Sequence, residues 1–76
     1  MTLIEIQQKI ENTIENSSVT MDGDGCNCAT LVVSKAFEGL PLLARQKMVL
    51  AAVRTELDSG ELHALSIKAR TPDEVV

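Results

Sequence analysis

Aromatic residues are almost absent from this chain, since Phe37 is the only one and there is no tryptophan or tyrosine. The core must therefore be aliphatic, and there is no stacking platform of the kind that binds single-stranded nucleic acid. Basic residues are outnumbered by acidic ones, which gives a formal net charge of -4 and a pI near 4.8. This charge disfavours binding to phosphate backbones and to anionic lipid.

The chain also lacks long apolar runs and a pair of cysteines spaced for an internal disulfide. No apolar run approaches about 18 residues, and residues 1–5 do not begin a secretory signal. Cys26 and Cys28 flank one residue, so in an extended segment they lie on the same face about 6.5 Å apart, whereas a disulfide needs Cβ atoms roughly 3.5 to 4.5 Å apart. We expect two free thiols, no membrane segment and a reducing, cytoplasmic setting.

The length of 76 residues leaves room for one domain, over residues 1–76. A domain of this size buries only about 60 % of its unfolded surface, so its stability is marginal. Proteins this small are commonly supported by disulfides, a metal or a partner. A separate catalytic domain does not fit.

The first half of the chain predicts a helix and a β-hairpin. Thr2 and Glu5 have the spacing of a capping box, and apolar residues then recur at helical spacing, which predicts a helix over Leu3–Glu15. Val19–Met21 is typical of a short strand, and Asp22–Gly25 is typical of a hairpin loop. The β-branched segment Cys28–Ser34 predicts the central strand of a sheet.

The second half predicts a helical region and a third strand. Pro41 suits the first turn of a helix that reaches about Leu57, and Gly60 supplies its stop signal. Residues 62–69 alternate as in a strand, with His63 on the more apolar face. Thr71–Glu74 predicts a last helical turn.

This order of elements predicts an α+β fold, helix, strand, strand, helix, strand, with a three-stranded mixed sheet. The third strand should lie parallel to the second, because a strand that follows a helical crossover commonly does. Helices should cover one face of the sheet.

Three segments resemble the BolA family in content, order and spacing. They are Leu31–Gly39, Pro41–Arg45 and Leu62–Pro72. The Phe-x-Gly and the His-Ala-Leu-Ser block with its trailing Thr-Pro are the most specific parts. The resemblance implies a class II KH-like fold. It also implies a heterodimer with a monothiol glutaredoxin in [2Fe-2S] cluster assembly, trafficking or iron sensing.

The same resemblance implies the site residues. His63 is similar to the histidine that ligates the cluster in BolA–glutaredoxin complexes, and Cys26 stands where one BolA subgroup places a cysteine ligand. Asn27 stands where other subgroups have a histidine, and Cys28 stands where a phenylalanine is usual, so we expect Cys28 in the core. Gln46 replaces a histidine of the common Arg-His-Arg, and the tryptophan that often follows Thr-Pro is absent.

A count of ligands supports the need for a partner. A [2Fe-2S] cluster takes four ligands, whereas this chain offers at most Cys26, Cys28 and His63. We expect no cofactor in the isolated, monomeric chain. Glutathione and a glutaredoxin cysteine are the additional ligands that the resemblance implies. A structural zinc site falls short for the same reason.

Simpler interpretations stay open at this stage. His63 on an apolar strand face is compatible with a hydrogen-bonded core histidine, and both cysteines are compatible with small buried hydrophobes. Asp22–Gly25 has two carboxylates, but the remaining ligands of a calcium loop are missing, so a plain turn is favoured. No nucleophile, base and orienting acid have a catalytic spacing, and we assign no enzymatic activity.

The alternative function is nucleic-acid binding by a transcriptional regulator, which the KH-like fold and the family's transcriptional phenotypes indicate. Four cations would then contact phosphates, namely Arg45, Lys47, Lys68 and Arg70. A KH site uses a Gly-x-x-Gly loop to clamp the backbone, and the sequence contains none. Nucleic acid is therefore the less favoured partner.

Overall fold

The computed structural model describes residues 2–75 and has the predicted α+β architecture. In chain order, the elements are α1 (Leu3–Thr13), β1 (Ser18–Gly23), β2 (Asn27–Val33), a 3-10 turn (Lys35–Phe37), α2 (Leu42–Ala52), α3 (Arg54–Ser59), β3 (Ala64–Arg70) and a second 3-10 turn (Pro72–Val75).

The three strands form one mixed sheet in the order β1-β2-β3. β1 pairs with β2 in antiparallel register, and β3 pairs with β2 in parallel register. Val32, in the middle strand, lies opposite Val19 on one side and Ala69 on the other. The prediction of a central second strand and a parallel third strand is confirmed.

The core lies between one face of the sheet and the helices, which confirms the predicted one-sided cover. It consists of eleven buried apolar residues, namely Ile6, Ile10, Ile14, Val19, Cys28, Val32, Phe37, Val49, Val53, Leu62 and Ala69. The intervening strand residues face away from the helices, and several of these, Thr20, Ala29, Ser66 and Lys68, are exposed. The alternation of side chains along each strand produces this division.

The first helix begins as predicted and ends earlier. Thr2 and Glu5 form both bonds of the capping box, since each side chain accepts the backbone N–H of the other residue. The helix stops at Thr13 instead of Glu15, because Ile14 has an extended backbone and is buried in the core. Core packing therefore overrides the helical spacing of Ile14.

The predicted helical region from Pro41 to Leu57 is two helices. Pro41 is the N-cap of α2, one residue before the first turn. Val53 interrupts the region with φ -124° and ψ 20° and is fully buried. Gly60, with φ +86°, ends α3 as predicted.

Candidate functional site

The loop between β1 and β2 has a narrowly defined shape. β1 extends through Gly23, so only Asp24, Gly25 and Cys26 lie between the strands, one residue fewer than in the predicted loop. Gly23 has φ +104°, and a Cβ atom there would lie 2.6 Å from the carbonyl oxygen of Asn27. Glycine is therefore required at this position, both for its φ and for the close approach of the two strands.

Cys26 and His63 are neighbours because the parallel pairing of β2 and β3 begins beside them. The carbonyl of Cys26 accepts hydrogen bonds from the N–H groups of His63 at 2.8 Å and of Ala64 at 3.1 Å. The next residue of each strand continues the ladder, with Asn27 opposite Ala64. The structure therefore places the thiol-bearing loop against the histidine.

His63 precedes β3 and is exposed, which differs from its predicted place on the apolar face of the strand. The buried residue at this end of the strand is Leu62, which is 1 % exposed. Leu62 anchors the chain in the core, and the following residue turns outward before the strand begins. The interpretation of His63 as a buried core histidine is therefore wrong.

The two cysteines differ in exposure, because Cys26 lies in the loop before β2 and Cys28 lies within that strand. Cys26 is exposed, whereas Cys28 is buried in the core, and neither forms a disulfide. Burial raises the pKa of the Cys28 thiol, and the charge of Asp24 adds a smaller effect in the same direction. A buried thiol with a raised pKa is a poor ligand and nucleophile. The expected core position of Cys28 is confirmed.

The exposed pair provides one soft sulfur donor and one imidazole nitrogen, both of which suit iron in a [2Fe-2S] cluster. Within residues 2–75, no group of three or more His, Cys, Asp or Glu side chains is placed to hold a metal ion. Cys26 and His63 thus fit part of a ligand set. A complete set would need donors from elsewhere.

The carboxylates of Asp22, near the end of β1, and of Asp24, in the loop, both accept hydrogen bonds from backbone N–H groups. Oδ1 of Asp22 accepts the N–H of Gly23 at 2.9 Å, and Oδ1 of Asp24 accepts two further N–H groups at 2.8 Å. These bonds are those of turn-forming aspartates. They support the interpretation of this segment as a turn instead of a calcium loop.

The four cations assigned to phosphate contacts do not form one surface. Arg45 is buried and ion-paired with Glu74, so its assignment as a phosphate contact is wrong. Lys68 lies on the helix-free face of the sheet, whereas Lys47 is exposed on α2, which covers the other face. Because Lys47 and Lys68 lie on opposite sides of the sheet, they do not support a nucleic-acid interface.

Sequence reasoning missed two residues that shape this molecule. The sequence around Arg45 predicts a surface cation, because its partner, Glu74, is 29 residues away along the chain. The sequence predicts a turn at Asp24, and an aspartate two residues before Cys26 is also a signal for side-chain bonding to the Cys26 N–H.

Of the helices within the described chain, none has the length and apolar character needed to cross a membrane.

The sequence of this chain is similar to those of several known proteins. Residues 3–74 match a family model described as BolA-like protein. The acid stress protein IbaG of Escherichia coli is 31 % identical over 70 residues, which cover 92 % of this chain and 83 % of that protein. Human BolA-like protein 2 is 37 % identical over 71 residues, covering 92 % and 80 %. A match to chloroplastic BOLA1 of Arabidopsis thaliana is 54 % identical but covers only 57 % of this chain and 26 % of that protein.

Solved structures agree over nearly the whole chain. A bolA protein homologue from Coxiella burnetii superposes with a TM-score of 0.86 at 37 % identity, covering 99 % of this chain and 96 % of that one. The BolA domain of SufE1 from Arabidopsis thaliana gives a TM-score of 0.81 at 30 % identity, covering 93 % and 92 %. The fold and the placement of its elements are therefore shared with these proteins.

Proposed function

This chain belongs to the BolA-like family, and from that premise we propose that it partners a monothiol glutaredoxin and co-ligates a [2Fe-2S] cluster through His63 and Cys26. The observation that carries the proposal is the juxtaposition of these two exposed residues through the 2.8 Å hydrogen bond from the His63 N–H to the Cys26 carbonyl. The kinship with the BolA domain of SufE1 supports an iron–sulfur-related role.

The number of donors argues for a shared cluster. His63 and Cys26 supply two of the four ligands that a [2Fe-2S] cluster takes. Cys28 is excluded because it is buried in the core. A glutaredoxin cysteine and the thiol of glutathione complete the set in this proposal.

The two residues have different tasks in the proposed site. Cys26 supplies a thiolate, which binds iron strongly and carries negative charge. His63 supplies a neutral imidazole, which donates less charge and raises the reduction potential of the centre. A cluster held on an exposed surface by two proteins suits assembly, trafficking or iron homeostasis. In this proposal the chain acts as a binding partner in the cytoplasm and has no catalytic residue.

The proposal is tested by anaerobic reconstitution of the chain with a monothiol glutaredoxin from the same source, glutathione, iron and sulfide. We expect a red-brown complex whose native mass corresponds to one copy of each protein, one cluster and one glutathione. The double variant H63A/C26S should not enter that complex, whereas E61Q, a change of an exposed residue near His63, should form it normally. A cluster held by glutaredoxin alone, with the chain remaining free, would contradict the proposal.

Nucleic acid is the competing partner, and the same preparation tests it. Binding of the chain to duplex DNA that weakens steeply with added salt would indicate phosphate contacts. The charge of -4 and the separation of Lys47 from Lys68 lead us to expect no such binding.

A further inference from the structure

Asp24 closes the loop that carries Cys26. Its Oδ1 atom accepts hydrogen bonds from the backbone N–H groups of Cys26 and Asn27, each at 2.8 Å. The N–H of Asp24 in turn donates to the carbonyl of Asn27 at 3.0 Å. One side chain thus satisfies two consecutive N–H groups of an exposed loop.

The other side of the Cys26 backbone is held by His63. The Cys26 carbonyl accepts the N–H groups of His63 and Ala64, at 2.8 and 3.1 Å. The Cys26 N–H is bonded to Asp24, and the Cys26 carbonyl is bonded to the residue that carries the imidazole. The backbone of Cys26 is therefore fixed on both sides, and its side-chain torsion is the main freedom left to the thiol.

We propose that Asp24 is a positioning residue, which holds the backbone of Cys26 against that of His63 so that thiolate and imidazole can bind one cluster together. This inference rests on the proposed function. A loop that is already ordered in the folded chain does not lose conformational entropy when it binds the cluster, so binding is stronger. Loss of a hydrogen bond that orients a metal ligand costs about 10-fold to 100-fold in affinity.

Hydrogen bonding and charge at Asp24 can be separated experimentally. The N–H groups of Asn27 and Cys26 hold the pKa of this carboxyl below its usual value, and the nearby His63 has a smaller effect. Asparagine presents an oxygen at the same position without the charge, so D24N should keep both bonds, whereas D24A removes them. D22A is the matched control, because the Asp22 carboxylate bonds only its neighbour Gly23 among the described residues.

The first measurement uses the chain without iron. Amide hydrogen exchange, followed by nuclear magnetic resonance, reports the N–H groups of Cys26, Asn27 and His63. We expect D24A to increase their exchange by about 5-fold, as the loss of a hydrogen bond worth about 1 kcal/mol would do. D24N and D22A should exchange like the parent. Unchanged exchange in D24A would show that Asp24 does not hold the loop.

The second measurement follows the visible spectrum of the complex reconstituted with glutaredoxin. D24A should shorten the lifetime of the cluster by about 10-fold or more, and D24N should restore it. If the parent forms the complex and D24A has the parent lifetime, the inference is wrong while the proposed function stands. If D24N shortens the cluster lifetime as much as D24A does, the charge of Asp24 is responsible for that lifetime, and its positioning hydrogen bonds are not.

Failure of the proposed function is recognised separately. A parent chain that forms no cluster with glutaredoxin contradicts that function before any variant is compared. Faster amide exchange in D24A would then describe a turn residue with a structural role alone, which would also contradict the inference.

Discussion

Arg45 and Glu74 form a bidentate ion pair, with 2.6 Å from Nη1 to Oε1 and 3.3 Å from Nη2 to Oε2. Arg45 also donates to the carbonyl oxygens of Leu40 at 2.9 Å and of Ala69 at 3.1 Å, and its guanidinium lies 6.0 Å from the centre of the Phe37 ring. One buried cation therefore ties together the segment before α2, the end of β3 and the last turn of the described chain.

We expect the stabilising effect of Glu74 to depend on pH. The side-chain hydrogen bond from Arg45, followed by the N–H of Thr71, lowers the pKa of Glu74 from 4.5 to about 2. A lowered pKa means that the ionised carboxylate stabilises the folded chain above pH 4.5, and that this contribution is lost as the pH falls toward about 2. E74Q should therefore melt below the parent near neutral pH, and the two melting temperatures should converge in acid.

The matched control for Glu74 is D73N, which changes the neighbouring exposed carboxylate of the same turn. Its melting temperature should follow that of the parent at every pH. A gap between E74Q and the parent that stays constant from neutral pH to about pH 2 would show that the ion pair does not titrate as its geometry requires.

Cys26 and Cys28 should respond differently to the same substitution. C28S places a hydroxyl in the core and should lower the free energy of unfolding by about 1 to 3 kcal/mol, whereas C26S should leave it unchanged because Cys26 is exposed. The cluster complex should be lost in C26S and retained in C28S. Urea unfolding and the visible spectrum of the complex measure the two effects.

C28F supplies a further check, since the resemblance to BolA proteins implies a phenylalanine at this position. It should retain cluster binding, although overpacking of the core could cost roughly 1 to 3 kcal/mol. If a folded C28F chain loses the cluster while C26S keeps it, Cys28 is the ligand and our assignment is wrong.

Gly23 should be the least replaceable of the positive-φ glycines. G23A combines φ +104° with a Cβ atom 2.6 Å from the Asn27 oxygen, whereas G60A combines φ +86° with no atom within 4 Å. We expect G60A to cost about 1 to 2 kcal/mol, the penalty for a left-handed residue, and G23A to cost more because the strands must separate. Urea unfolding compares the two variants. Equal losses in the free energy of unfolding would show that the loop accommodates the added Cβ atom without further destabilisation.

His63 should affect the electronic properties of the cluster as well as its lifetime. Imidazole donates less charge to iron than thiolate, so H63C should lower the reduction potential of the complex and change its visible circular dichroism, whereas H63A should mainly destabilise it. Electron paramagnetic resonance after reduction distinguishes the two variants.

Both His63 variants must fold for this comparison, and the exposed position of His63 leads us to expect that they do. The far-UV spectrum and a cooperative melt establish this. If folded H63A gives the spectra and cluster lifetime of the parent, His63 is not a ligand.

Local patterns were sufficient where neighbouring residues decide the structure. The capping box of Thr2 and Glu5 and the stop at Gly60 both follow from spacing within a few residues. Patterns failed at Val53, where a continuous helical spacing conceals a break. The fully buried side chain of Val53 shows that packing outweighs helical propensity there.

The α+β class, the order of the elements and the family could be predicted from the residues alone, and the resemblance predicted Cys26 and His63 as ligands. The folded chain was needed to show that these two residues meet, that His63 is exposed and that Arg45 is buried against Glu74. The two kinds of information differ in the sequence distance over which the interactions act. Periodicity and capping act over a few residues, whereas a parallel register and an ion pair between distant residues depend on how the α2–α3 crossover packs against the sheet.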